Sequence, residues 1–254
     1  MKAALDTYRR TLTSAAETDT AWWYLGTSTV EVEGSPEIIL NHVETVMIYR
    51  SRDIDATSYR VPWWEIGVFR DAVTGEVPER WTNPVTGVTI DPARIFEEGP
   101  SGFSLRETGD GGVEMFDAIQ AFASLESAEV SVRAHRDRVV VTQVERKTRS
   151  FPGKDGIPDL AAGAASKAHT VLQWFADRAD LDGDAPSVPA TGMYSLSIAT
   201  PPWLGFGDLP TRFMVKGLMV KADLDRPLNP RGWSDLQRLF PHYFVGGAIR
   251  PRWV

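Results

Sequence analysis

Between residues 22 and 149 the chain is dominated by closely spaced strand-like runs, and this density constrains the fold more than any other feature. Trp22-Trp23-Tyr24-Leu25-Gly26-Thr27-Ser28-Thr29-Val30-Glu31-Val32 is rich in aromatic and β-branched residues and is closed by Gly34-Ser35-Pro36. Ile38 to Arg50 and Tyr59 to Arg70 read as two further strands. Glu129 to Asp137 and Arg138 to Arg149 alternate in polarity. Val130, Val132 and Ala134 oppose Ser131, Arg133 and His135, while Val139, Val141, Gln143 and Glu145 oppose Val140, Thr142, Val144 and Arg146. Joined at Arg136-Asp137-Arg138, the two read as antiparallel neighbours. Tyr194 to Thr200 and Phe213 to Ala222 bring the count to about seven, and so many strands in series favour a sheet that closes on itself. The predicted class is mainly β, one barrel-like domain over residues 1–254: an antiparallel, lipocalin-like curved sheet with a packed helix. An α+β fold with the sheet wrapped around that helix is the alternative.

The helix in question is predicted from Pro158 to Leu181. Pro158 and Asp159 suit its start, Gly183 suits its end, and Ala168, Val171, Leu172, Phe175 and Ala179 make one apolar stripe at helical spacing. A polar amphipathic helix opens the chain, and a short one is expected around Trp233 to Leu239. Pro92 to Gly112 reads as loop, and residues 113–125 give no clear signal.

Composition narrows the function. With 43% hydrophobic residues the chain can build one sizeable core. Lys+Arg 27 against Asp+Glu 34 gives a net charge of −7, which offers no electrostatic footprint for nucleic acid. There is no cysteine, so thiolate nucleophiles and thiolate metal sites are excluded. His42, His135, His169 and His242 are too scattered for a local metal motif, and neither a metal nor a cofactor is expected. The sequence contains no G-x-S-x-G elbow, Walker loop or G-x-G-x-x-G. No apolar run approaches the roughly 20 residues of a membrane span, and the opening residues lack a secretory apolar core. A soluble cytoplasmic protein without a membrane partner is therefore expected.

Asp71-Ala72-Val73-Thr74-Gly75-Glu76-Val77 is echoed twelve residues later by Asn83-Pro84-Val85-Thr86-Gly87-Val88. Both read as tight turns, with glycine free to take a positive φ and the Asp, Asn and Thr side chains bonding back to the backbone. Together with Glu65 and Trp81, this stretch resembles the signature of the bacterial DUF1838 family: an acidic strand residue, D-P-x-T-G-x-V, then W-x-N-P-x-T-G. Trp23-Tyr24-Leu25-Gly26, the Trp203 loop with Tyr194 ahead of it, and Pro241-His242-Tyr243 extend the likeness over most of the chain. Ala72 departs from it, standing where the family has proline. The family is defined without a function, so the resemblance implies none and transfers no site residue.

Nine tryptophans, several adjacent, suit either a large β core or an aromatic-walled pocket. Trp22, Trp64, Trp81, Asn83, Tyr194 and Trp203 are the candidate ligand-binding residues. In the third strand, Trp64, Ile66 and Val68 share one face and Trp63, Glu65, Gly67 and Phe69 the other, so Glu65 is expected to be at least partly buried. Such a carboxyl either pairs with a cation, here Arg50 or Arg60, or serves as a general base. In the second case Tyr49 and one of those arginines would stabilise developing negative charge. His42 shares a face with Glu44, and His135 with Arg133; imidazole and carboxylate meet only if both faces line the interior. Lys216 and Lys221 read as solvated strand ends. By elimination the expected function is a cofactor-independent lyase, isomerase or cyclase acting on an apolar aromatic or polycyclic molecule. A lipocalin-like carrier or sensor is the alternative. The expected partner is a hydrophobic small molecule, with a homodimer also open.

Overall fold

A computed structural model describes residues 3–90, 97–119, 123–150, 165–199, 204–225, 228–250 and 253. Helix α1 (Ala4–Leu12) leads into β1 (Asp19–Val32), β2 (Ile38–Arg50), the short β3 (Arg52–Asp55) and β4 (Ser58–Asp71). A miniature hairpin, β5 (Trp81–Thr82) and β6 (Thr89–Ile90), is followed by β7 (Glu97–Glu107), β8 (Val113–Ile119), β9 (Ala123–His135), β10 (Arg138–Ser150) and β11 (Ala165–Asp177). Helix α2 (Arg178–Asp182), β12 (Ala190–Ala199), β13 (Thr211–Ala222), helix α3 (Pro230–Leu239) and a small hairpin, β14 (Phe244–Val245) and β15 (Ala248–Ile249), complete the order. None of the described helices is long and apolar enough to cross a membrane.

The main sheet runs β8-β7-β4-β2-β1-β13-β12-β11-β10-β9, antiparallel throughout, with β3 added beside β4. Its end strands β8 and β9 are consecutive in the chain and lie in contact, so the sheet is a nearly closed barrel of ten strands. Eight strands enclose an interior that side chains just fill; ten enclose more. Two apolar clusters result. One occupies the barrel interior, including Trp22, Tyr24, Val61, Phe103, Val141 and Trp174. The other lies outside β1, β2 and β4, where Trp23, Val46, Ile48, Ile66 and Val68 meet Trp233, Leu236 and Phe240 of the C-terminal segment. Adjacent tryptophans such as Trp22 and Trp23 therefore point into different cores, as the period of two requires.

The segment predicted as a long helix is a strand over residues 165–177, with only 178–182 helical; residues 158–164 lie outside the described residues. Ser166, Ala168, Thr170, Leu172, Trp174 and Ala176 alternate inward, and full pairing with β10 and β12 fixes that register. Val171 and Phe175, which completed the apparent helical stripe, lie on the outer face. Local periodicity is overridden here by two neighbouring ladders and by β-branched and aromatic residues that suit a pleated surface. The packed helix is α1 instead. The expected loop over 92–112 contains β7, whose Gly and Pro content masks a strand with Phe103 and Leu105 turned inward. Residues 113–119 form β8.

The repeated turns share one geometry. Asp71 Oδ1 accepts from Thr74 N at 2.7 Å and Val73 N at 3.0 Å, and Asn83 Oδ1 accepts from Val85 N at 2.8 Å and Thr86 N at 3.2 Å. Gly75 and Gly87 follow at φ 69° and 74°. These amide bonds, that of Thr74 foremost, hold the Asp71 carboxyl below the usual carboxylate range. In the second turn Asn replaces Asp because its Nδ2 must donate, at 2.7 Å to Leu204 O.

Helix α1 closes the barrel end where β1 begins. Trp22 Nε1 donates to Leu12 O at 2.8 Å, and the buried Arg10 guanidinium donates to the carbonyls of Leu181 and Ala185 at 2.6 and 2.7 Å. Lys221, expected at a solvated end, is instead largely buried. Its Nζ donates to the carbonyls of Arg10, Thr11, Thr13 and Val188 at 2.7–3.2 Å. Burial pulls its pKa down, to about 7, while the three carbonyls at the negative end of α1, together with that of Val188, favour the ammonium and oppose that fall. Replacing Lys221 with Met should cost about 2–4 kcal/mol in urea unfolding, because several buried acceptors lose their donor together. A cost below about 0.5 kcal/mol, the scatter of surface substitutions, would show that the clamp does not hold α1.

Candidate active site in the barrel interior

Side chains two apart on a strand share a face. On β10 this rule carries Val139, Val141, Gln143, Glu145 and Lys147 inward in one row. The first two complete the apolar floor of the barrel. The next three continue inward although polar, and are only 1%, 3% and 5% exposed. They form a connected chain that starts on α1: the Tyr8 hydroxyl donates to Gln143 Oε1, Gln143 Nε2 donates to Glu145 Oε1, and Lys147 Nζ pairs with Glu145 Oε2. Because Tyr8 donates, the Gln143 amide must accept through oxygen, which turns its N–H toward Glu145. Burial, with smaller contributions from Tyr59 and Glu145, raises the Tyr8 phenol well above its ordinary pKa, so it stays a donor. The ring is fixed against Phe103 and Trp174, with centroids 6.4 and 5.7 Å away.

Across the barrel from this row, β2 and β4 present Met47, Tyr49, Trp63 and Glu65, and the flanking strands add Phe103, Trp174 and Tyr194. Between the two walls lies a cavity lined also by Arg149, Thr170 and Leu172. It offers about 50 Å³ of room for the centres of water molecules. At ~10–15 Å³ per water that is room for a few waters, so a polycyclic guest would have to turn lining side chains aside. Two buried polar atoms on the inward face of β11, Thr170 Oγ1 and Trp174 Nε1, have no hydrogen-bond partner among the described residues. Tyr24, packed edge-on to Tyr194 at 5.4 Å, is raised by burial and, to a lesser degree, by Tyr194 and Glu65, which places Glu65 within electrostatic reach of the Tyr24 phenol. Gly26 makes room for Tyr24: a Cβ there would fall 2.0 Å from its hydroxyl.

Of the residues singled out from sequence, Glu65, Tyr49 and Tyr194 line this cavity. The others are placed elsewhere. Arg50 pairs with Asp19 at 2.6 Å and lies over the Trp253 ring, and Arg60 pairs with Asp117 at 3.0 Å, so both cations have other carboxylates as partners. His42 and His135 are exposed and sit on separate strands, so no imidazole meets a carboxylate inside. Glu44, which shares the face of His42, is buried outside the barrel beneath α3. There it accepts from Arg70 Nε at 2.9 Å and from Asn229 Nδ2 at 2.7 Å. Trp22 is sealed under α1, and Trp64 faces the outer core against Tyr243. Trp81 is buried in the miniature hairpin, Asn83 secures its turn, and Trp203 lies outside the described residues. Among the described residues no cluster of three or more His, Asp or Glu side chains converges as a metal site would require.

Sequence reading missed Tyr8, Gln143, Glu145, Lys147, Arg149, Thr170 and Trp174. A signal was present for the β10 row. Once Val139 and Val141 are assigned to the core face, parity places 143, 145 and 147 on it too. No protein-family model matches the chain, and comparison with curated proteins likewise finds no match.

Removing one member of a buried ion pair strands the other. Lys147→Met should therefore cost about 3–5 kcal/mol in urea unfolding, and adding Glu145→Leu to it should recover part of that loss. Additive losses in the double variant would show that the pair is not coupled.

Proposed function

We propose that the barrel is a cofactor-independent enzyme of the lyase, isomerase or cyclase type, acting by general acid–base chemistry on an aromatic small molecule held in the interior cavity. The observation that carries this reading is the pairing, in one interior cavity, of a carboxyl on an aromatic wall with a buried Gln143–Glu145–Lys147 row opposite. A container for apolar guests gains nothing from such a row, whose desolvation is a cost that an apolar lining avoids. Glu65, half-buried beside Trp63 and Met47, is the base. It takes a proton from the substrate, and the developing negative charge falls to donors fixed in advance: the Lys147 ammonium and the Tyr194 hydroxyl. Rigid support comes from β10 and α1, so little reorganisation accompanies charge development. Arg50, Arg60, His42 and His135 have no part in this mechanism.

The test pairs binding with turnover. The intact protein is incubated without added cofactor against a panel of single-ring aromatic compounds, with tryptophan fluorescence reporting binding and chromatography reporting conversion. Glu65→Gln should bind the converted compound within about tenfold of wild type. Its turnover should fall by on the order of 10² or more, the usual contribution of a positioned base. Compounds bound by wild type and returned unchanged would replace the enzyme with a carrier.

A further inference from the structure

Resting on that reading of the cavity, we infer that its ligand is a small aromatic anion, a single ring bearing a carboxylate or equivalent oxyanion, and not a neutral hydrocarbon-like molecule. The aromatic wall of Tyr49, Trp63, Phe103 and Trp174 accounts for the ring. Three observations account for the charge.

The first is the pattern of unmet hydrogen bonds. Trp174 Nε1 is a donor only, and Thr170 Oγ1 can donate; both are buried, belong to side chains that line the cavity and have no partner among the described residues. What would satisfy the indole is an acceptor oxygen on the guest. The second is register. Thr170 is paired directly with Glu145, and Ala168 with Lys147, so the Thr170 hydroxyl and the Lys147 ammonium occupy neighbouring inward positions on adjacent strands. Arg149 follows on the same face of β10 and lines the same cavity.

The third is the field at the barrel rim. A larger hollow of about 590 Å³ lies at the ends of β9 to β13 away from α1, where Arg146, Lys167, His169 and Arg212 project from the outer face of the sheet and Lys147 stands at its border; the carboxylate in its lining, Glu126, pairs with Lys167. Lys147 borders both this hollow and the interior cavity. A local excess of cations on a chain of net charge −7 is a departure from its average, and a concave basic surface at the rim raises the local concentration of anions beside it. The small interior volume limits the guest to about one ring.

Calorimetric titration of the intact protein with benzoate and with benzamide, at low and high salt, tests this. The two probes match in shape and differ in charge. Benzoate should bind at least about tenfold tighter, and the preference should shrink as salt rises. Lys147→Gln should reduce the preference below about threefold, and Thr170→Val, which keeps the side-chain shape, should weaken benzoate by about fivefold. If Lys147→Gln does not fold, Lys167→Gln combined with Arg212→Gln, both outside the cavity, should still lower benzoate affinity more than benzamide affinity. Equal affinities, tighter benzamide, or no binding of benzoate would overturn the inference. The enzyme reading fails separately: a benzoate preference retained in Glu65→Gln, with no aromatic compound converted by wild type, leaves an anion carrier. Conversion of neutral aromatics without that preference leaves the enzyme and removes the anion.

Discussion

The Tyr8 hydroxyl, donated to Gln143 inside the barrel, is the contact on which the rest of the interior depends. It sets the orientation of the Gln143 amide, which sets the donor that Glu145 receives, and Glu145 in turn holds Lys147. The same ring packs on Trp174 and Phe103, so one side chain of α1 ties the polar row to the aromatic wall. For that to work α1 must not move. The Lys221 clamp on its last carbonyls, Arg10 anchored on the end of α2, and Trp22 bonded to Leu12 fix it from three directions. A half-satisfied polar network inside a barrel would be worse than an apolar core; a connected one gives a rigid charged surface in a low-dielectric space.

The barrel is also braced from outside. Around Trp23, Val46, Ile48, Ile66 and Val68, strands β1, β2 and β4 are buried on both faces because α3 and the residues after it cover them. Trp23 stacks on Trp233 with centroids 6.0 Å apart, and Glu44, Arg70, Asn229 and Asp235 join the strands to α3. Gly232 is required there, since a Cβ would fall 2.0 Å from the Glu44 carboxylate. The wall that carries Glu65 thus has little freedom to shift, which is what a positioned base needs.

Much of this was legible in the sequence, and the failures have physical causes. Strand runs such as Ile38–Arg50 announced the barrel because they show no clean helical period and are bounded by turn residues. Residues 165–177 carried both periods at once, and only the flanking strands decide between them. For the site, parity separated Trp63 and Glu65 from Trp64, but not which of the two faces was interior, because both faces of β4 are covered. The polar half of β10 shares a face with Val139 and Val141, but its own residues carry no mark of burial. Its burial follows from the width of a ten-strand barrel and from α1, neither of which is visible in the strand itself. Lys221 was misjudged for a related reason, since three of its four acceptors come from the end of a helix more than 200 residues away in the chain.

The central claim is that the charged row and the aromatic wall enclose a ligand cavity. Indole N–H resonances of nitrogen-15-labelled tryptophan test it most directly, because Trp174 faces the cavity while Trp233 lies in the outer core. On titration with benzoate the Trp174 signal should shift and its hydrogen exchange should slow, with Trp233 unchanged. A shift at Trp233 with Trp174 unmoved would place the binding surface outside the barrel and contradict the account.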